Sequence, residues 1–286
     1  MKIASIDIGT NAIKSKVFDT SPTTIEFLEG VRSPIRLGAE VFDSGKLSDN
    51  KLKELVKTLK KYQKNFKKNN IKMYEIVATS AFRETTNSEE ARRYVENKIE
   101  HPIRIISGLE EAKLIHFHPK AQSSSNKVFV DVGGGSTEVY IHKDGDHIIQ
   151  SFQLGAVRSM LGKDDADEWK RLNKWLKKQS NVETLIGLGG SIKSFLNLNN
   201  LKSMNSQKFI TRASNLKAMS VEEKISYYNL GPDRADVINF ALDIYEKIIN
   251  ELKISKIKST KWGVSDSIAV KTFHELYSKK ISIYKD

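Results

Sequence analysis

The sequence predicts an α/β protein of two similar domains, and three observations carry the prediction. Short apolar runs bounded by turn residues alternate with apolar stripes of helical period along the chain. The segment Ile6-Asp7-Ile8-Gly9 returns as Val130-Asp131-Val132-Gly133, 124 residues later, which is the mark of a duplicated unit. The length, 286 residues, is near twice the common domain size, so each half can bury a core of its own. Two such domains would face one cleft.

The elements follow in order. Ile3 to Ile8 and Ile13 to Phe18 read as strands joined at Gly9-Thr10-Asn11, with a third strand over 25–31 after the Ser21-Pro22 turn. Leu52, Leu55, Leu59, Tyr62 and Phe66 recur at helical spacing and predict a helix over 49–68. Met73 to Ala78 is a buried strand. Asn87-Ser88-Glu89-Glu90 opens a helix as a cap followed by Glu, and Pro102 closes it. Ile103 to Ile106 is a strand, and Ser107-Gly108-Leu109-Glu110-Glu111 opens another helix. The polar stretch Gln122-Ser123-Ser124-Ser125-Asn126 is the expected junction, which divides the chain into domains 1–120 and 121–286, with a C-terminal helix about 267–280 that can pack back onto the first. Beyond it come strands 127–132 and 138–142, a helix over 164–178 carrying Trp169, Leu172 and Leu176, and a strand 184–187. A long helix over 234–252 would present Ile238, Leu242, Tyr245 and Ile249 to a sheet.

Composition narrows the chemistry. With 39% hydrophobic and 29% charged residues the chain is of ordinary globular make-up, and no apolar run reaches membrane-span length. The N-terminus meets Asp7 too early for a signal peptide, so a cytoplasmic protein without membrane contact is expected. There is no cysteine, which removes disulfides, thiolate nucleophiles and Cys-based zinc, and leaves oxygen ligands that favour Mg²⁺. The net charge of +12 suits a polyanionic partner, but its densest stretch, Lys57 to Lys68, lies on an amphipathic helix and reads as a solvated face rather than a nucleic-acid stripe.

Three glycine-bearing turns follow strands: Asp7-Ile8-Gly9-Thr10-Asn11, Asp131 to Thr137 through Gly133-Gly134-Gly135-Ser136, and Gly187-Leu188-Gly189-Gly190-Ser191. Consecutive glycines let main-chain N–H groups converge on an anion, and neighbouring hydroxyls add donors. Each turn alone is equally a tight hairpin; three together point to phosphate. Asp7 and Asp131 at strand ends are candidate Mg²⁺ ligands, against a role bonding their own turns, and Glu138 is a further candidate for metal or water. Arg83, read as projecting from a strand end, could fork onto phosphate or pair with Glu84 or Glu90. Of Glu110 and Glu111, adjacent on a helix, at most one points into a cleft; from the residues alone a surface face is the simpler reading. His116 and His118 form no metal set.

These turns, in this order, resemble the exopolyphosphatase and guanosine pentaphosphate phosphohydrolase family of the actin, Hsp70 and sugar-kinase superfamily. The resemblance rests on Ser5 to Asn11, Val77 to Glu84 with its Thr79-Ser80-Ala81-Phe82-Arg83, Ile106 to Ala112, Val130 to Glu138, Leu154 to Arg158 and Gly187 to Ser191. It implies two actin-like (ribonuclease H-like) domains, mixed sheets flanked by helices, around a central cleft, in the short form without added helical domains. It also implies Glu111 as catalytic base, Arg83 on the terminal phosphate, Asp131 and Glu138 at Mg²⁺ and water, and Asn11 with the glycine turns holding phosphate oxygens. The substrate class would be inorganic polyphosphate or guanosine pentaphosphate, linking the latter to the stringent response, and a homodimer is compatible. The alternatives are a phosphotransferase of the same superfamily and a non-catalytic sensor. Two positions depart from the pattern: Lys113 stands where arginine is common, and Trp262-Gly263-Val264-Ser265-Asp266-Ser267 lacks the arginine and glutamate of a late Gly-Leu-Arg-Glu-Gly element.

Overall fold

The computed structural model describes residues 1–122, 126–143, 145–277 and 283–285. The chain opens with an antiparallel meander, β1 (Lys2–Ile8), β2 (Ile13–Thr20) and β3 (Thr24–Ser33). Helix α1 (Leu37–Ser44) ends at Gly45, whose left-handed φ of 76° lets its N–H reach Val41 O. Helix α2 spans Asp49–Lys68, capped by Ser48, whose hydroxyl accepts from Lys51 N. All five residues of its apolar stripe are buried, each worth roughly 1.5–3 kcal/mol for a large apolar side chain.

Next come β4 (Met73–Ala78), α3 (Ser80–Glu84), α4 (Ser88–Ile99), β5 (Arg104–Ile105) and α5 (Gly108–Leu114), which runs into a 3-10 turn at Ile115–Phe117. Two expectations change here. Asn87 stands at the N-cap of α4 as expected, but its side chain makes no cap bond: its amide holds the loop at Leu47, accepting from Leu47 N at 3.1 Å and donating to Leu47 O at 3.0 Å. Arg83 sits on the short helix α3 rather than at a strand end.

The second half builds β6 (Lys127–Val132), β7 (Thr137–Lys143) and β8 (Asp146–Phe152), followed by α6 (Ala156–Met160) and α7 (Ala166–Leu176). After β9 (Thr184–Leu188) and α8 (Gly190–Leu198) come β10 (Ser203–Asn205), α9 (Ser206–Lys217) and α10 (Val221–Tyr228). The helix expected over 234–252 is two: α11 (Pro232–Ala235), started by Pro232 in its first turn, and α12 (Ile238–Glu251), which buries Ile238, Leu242, Tyr245 and Ile249. Strand β11 (Lys256–Ser259) precedes α13 (Val264–Tyr277) and β12 (Ile283–Lys285). Of the expected junction, 123–125 lie outside the described residues, as do the last positions, 278–280, of the C-terminal helix.

The two sheets repeat one design. In the order β12-β3-β2-β1-β4-β5, strand β1 is antiparallel to β2 and parallel to β4; in the order β10-β11-β9-β6-β7-β8, strand β6 is antiparallel to β7 and parallel to β9. The chain divides into Met1–Pro119 with Val264–Asp286, and Lys120–Gly263. Residues from Val264 onward therefore go with the first unit rather than with 121–263. Specific bonds hold them there: Ser5 Oγ donates to Ser265 O at 2.7 Å, and Lys16 Nζ meets both oxygens of the fully buried Asp266 at 2.6 and 2.7 Å.

Candidate functional site

In the first unit, β1 ends at Asp7 and Ile8 and the chain reverses through Gly9 to Ala12. Gly9 N donates to Ala12 O at 3.2 Å, and a Cβ on Gly9 would stand 3.0 Å from that oxygen, so glycine keeps the reversal uncrowded. Gly38 N, in the first turn of α1, donates to Thr10 O at 2.9 Å, and Arg36 N donates to Asn11 O at 3.1 Å. Peptide bonds here are trans, and in a trans peptide the N–H opposes the C=O. The amides of Asn11 and Ala12 therefore point away from the 36–38 segment. Asp7 is buried, and its Oδ2 lies 3.3 Å from Nζ of Lys14, its cross-strand partner.

The second unit repeats this geometry 124 positions on. Gly133 N donates to Ser136 O at 2.9 Å, and a Cβ on Gly133 would come within 3.1 Å of it. The carbonyls of Gly133 and Gly134 accept from the first residues of α6: Ala156 N to Gly133 O at 2.9 Å, Val157 N and Arg158 N to Gly134 O at 2.8 and 3.0 Å. Arg158 Nε takes Gly135 O at 2.9 Å. By the same trans-peptide argument the amides of Gly134, Gly135 and Ser136 all point away from α6, and three successive outward donors are groups to which an anion can bind. Gly155 permits the approach, since a Cβ there would lie 2.6 Å from the Gly134 carbonyl carbon. Thr137 is fully buried and donates its hydroxyl proton to Leu154 O at 2.7 Å, so this hydroxyl, one of the expected phosphate donors, fastens the loop instead.

The third turn meets Asp131. Gly189 has φ 78° and ψ −174°, a region open to glycine alone, and a Cβ on it would fall 2.6 Å from Asp131 Oδ1. Gly190 opens α8 against the guanidinium of Arg234, whose Nη1 donates to Ser191 Oγ at 2.6 Å. Beneath, the fully buried Tyr245 hydroxyl donates to Val130 O at 3.3 Å and Leu188 O at 3.2 Å, bracing the ends of β6 and β9. Burial first, and then the negative charge of Asp131, hold this phenol well above its ordinary range, so it remains a donor.

Glu138 is cross-strand partner to Asp131, is buried, and accepts from Ser151 Oγ at 2.9 Å. The duplication thus places Lys14 in the first unit where the second has Glu138. Asp7, expected as a metal ligand, has a cation beside it. Asp131 and Glu138 are the pair with the hard-oxygen chemistry of a Mg²⁺ site, which typically uses one or two carboxylates completed by water and substrate phosphate. Among the described residues no group of three or more His, Asp or Glu is placed to hold a metal ion.

Back in the first unit, α5 decides between its two glutamates. Ser107 and Glu110 form a reciprocal capping box: Glu110 Oε2 accepts from Ser107 N at 2.7 Å, and Ser107 Oγ accepts from Glu110 N at 3.2 Å. The cap and the neighbouring positive charges hold the Glu110 carboxyl below its usual range. Glu111, one position on, turns to Arg83: Nη1 donates to Glu111 Oε2 at 2.9 Å and to Ile106 O at 2.8 Å, with the two side chains only 17% and 11% exposed. Glu84, an alternative partner for Arg83 on sequence grounds, accepts from Ser80 Oγ at 2.5 Å.

Within the first unit the expected residues thus form two groups, the Asp7 turn and the Arg83–Glu111 pair; within the second, Asp131 lies beside Glu138 and the 189–191 turn, and its own strand runs into the turn that carries the Gly134, Gly135 and Ser136 amides. Sequence reasoning missed Lys14, Arg158 and Arg234 as participants. Lys14 was recoverable from the repeat, because it lies as far from Asp7 as Glu138 does from Asp131. Arg234 carries no local signal, since only the α11 turn brings it to Ser191.

Two mixed sheets flanked by helices, each ending its central strand in an acidic glycine turn, define a two-domain actin-like α/β protein. The chain belongs to the Ppx/GppA phosphatase family, whose model matches residues 16–276. Among solved structures it is similar to the Aquifex aeolicus member of the Ppx/GppA protein family, at 23% identity over 96% of this chain and 98% of that one, with a TM-score of 0.78. It is also similar to an exopolyphosphatase from Cytophaga hutchinsonii ATCC 33406, at 19% identity over 96% of this chain and 98% of that one, with a TM-score of 0.84. Family membership supports a phosphatase-type hydrolase. Among the described residues no helix is long and apolar enough to cross a membrane.

Proposed function

We propose that the chain is a phosphohydrolase that releases the terminal phosphate of inorganic polyphosphate, with guanosine pentaphosphate as second substrate, through water activated by Glu111. The observation that carries the reading is the division of labour on α5. Glu110 is committed to the cap, while Glu111 is held through Arg83, so one carboxylate is positioned beside a guanidinium that can also take phosphate oxygens. Arg83 has a backbone anchor at Ile106 O, which fixes its plane independently of substrate. The outward amides of Gly134, Gly135 and Ser136 suit phosphate oxygens, and Ser191 with Arg234 adds a hydroxyl and a charge. Bound Mg²⁺, held by Asp131 and Glu138, would neutralise developing phosphate charge. Phosphoryl transfer asks little covalent chemistry of a protein, so positioned charge and one base suffice.

The test measures phosphate release from polyphosphate, guanosine pentaphosphate and ATP with Mg²⁺. Glu111→Gln is expected to lose roughly 10²–10⁴-fold in kcat with substrate binding retained, the usual size of a general-base contribution. Arg83→Ala is expected to raise KM and lower kcat together. Wild-type rates in Glu111→Gln would overturn the base assignment. ATP consumption that requires an acceptor, with no free phosphate, would make the protein a phosphotransferase, and tight binding without turnover would make it a sensor.

A further inference from the structure

The two duplicated strand pairs match row by row across their sheets. In the first unit the ladder sets Lys14 of β2 opposite Asp7 of β1 on one side and Arg32 of β3 on the other. In the second it sets Glu138 of β7 opposite Asp131 of β6 and Ser151 of β8. Residues directly opposite in an antiparallel ladder share one face of the sheet, with Cβ atoms about 4.5–5.5 Å apart. Both reversals close through the same backbone bond, Gly9 N to Ala12 O and Gly133 N to Ser136 O, so position 14 stands to Asp7 as position 138 stands to Asp131. The rows therefore hold equivalent places with opposite charge: one carboxylate and two cations in the first, two carboxylates and a hydroxyl in the second.

In the first row the Lys14 ammonium lies 3.3 Å from Oδ2 of Asp7, whose side chain is 3% exposed against 36% for the lysine. The lysine stem thus brings a positive charge from solvent to a buried carboxylate. In the second row Ser151 Oγ donates to Glu138 Oε1 at 2.9 Å, which satisfies an acceptor without adding charge. Like charges directly opposite on one face repel, and a hard divalent cation shared by two carboxylates turns that repulsion into attraction.

We propose that Lys14 takes in the first unit the place that a divalent cation takes in the second, so that the Asp7 turn works with a built-in cation and the ion goes to Asp131 and Glu138 alone. This inference rests on the metal assignment proposed above and not on turnover. The test counts Mn²⁺ bound by the full chain, from the EPR signal of the free ion, in wild type, Lys14→Glu, Lys14→Met and Glu138→Gln. Lys14→Glu copies the carboxylate pair of the second row into the first. One ion is expected in wild type and in Lys14→Met, two in Lys14→Glu, and a tenfold or greater loss of affinity in Glu138→Gln. Thermal melting is the second measurement: Lys14→Glu is expected to melt below wild type in EDTA and to gain more from Mn²⁺ than wild type does, a difference that a purely structural lysine would not produce. A single ion in Lys14→Glu with only the wild-type gain in melting, none or two in wild type, or undiminished affinity in Glu138→Gln would overturn the inference. Phosphate release on the same samples separates it from the hydrolase reading: the expected ion counts in a wild type that releases no phosphate would remove that reading and support this one.

Discussion

Replacing Gly189 by alanine tests whether the third turn positions Asp131. The perturbation has two parts. Backbone at φ 78°, ψ −174° is sterically closed to a residue with a Cβ and costs about 1–3 kcal/mol. The new methyl would also lie 2.6 Å from Asp131 Oδ1, so either the turn or the carboxylate moves by nearly an ångström from ordinary contact. A displacement of about 1 Å at a reacting group costs on the order of 10²-fold in rate. Gly162→Ala is the matched control: its φ of 64° is also left-handed, but nothing lies within 4 Å of the added carbon, so it carries the backbone cost alone. Urea unfolding and phosphate release are measured on both. Gly189→Ala is expected to lose stability by about 2–3 kcal/mol and kcat by one to two orders of magnitude, and Gly162→Ala about 1–2 kcal/mol with kcat intact. If Gly189→Ala turns over within twofold of wild type, Asp131 is not a group that the turn positions for the reaction.

The buried pair of Lys16 and Asp266 should respond asymmetrically. Lys16→Met leaves a carboxylate of zero exposure without its lysine and is expected to cost about 3–5 kcal/mol, whereas Asp266→Leu leaves a lysine 19% exposed that can reach water and should cost less. The double variant should recover much of the loss, and additive losses in urea melts would show that the pair is not coupled. Burial of His274 holds its pKa below the ordinary value of 6.5, so the folded state disfavours its protonation. That contribution to stability is present above 6.5 and is lost as pH falls through the lowered folded value. His274→Gln should flatten the acid limb of the stability profile below pH 6.5, and an unchanged slope would remove the histidine from it.

The sequence by itself determined the parts of this protein that depend on neighbours along the chain. The stripe from Leu52 to Phe66 specifies α2 because its period is helical, and the repeated Asp-x-Gly segments specify two equivalent strand ends because a Cβ at Gly9 or Gly133 would crowd the carbonyl that closes the reversal. Membership in a phosphatase family was legible for the same reason, since its motifs are contiguous. Only the tertiary structure decided which groups face one another. Glu110 and Glu111 are equivalent in composition until Ser107 folds back onto one of them and Arg83 reaches the other. Arg234 becomes a neighbour of Ser191 because Pro232 starts a separate turn, and Asp266 goes with the first unit because it closes on Lys16, 250 positions away. Such contacts depend on through-space distance, which a local pattern does not encode.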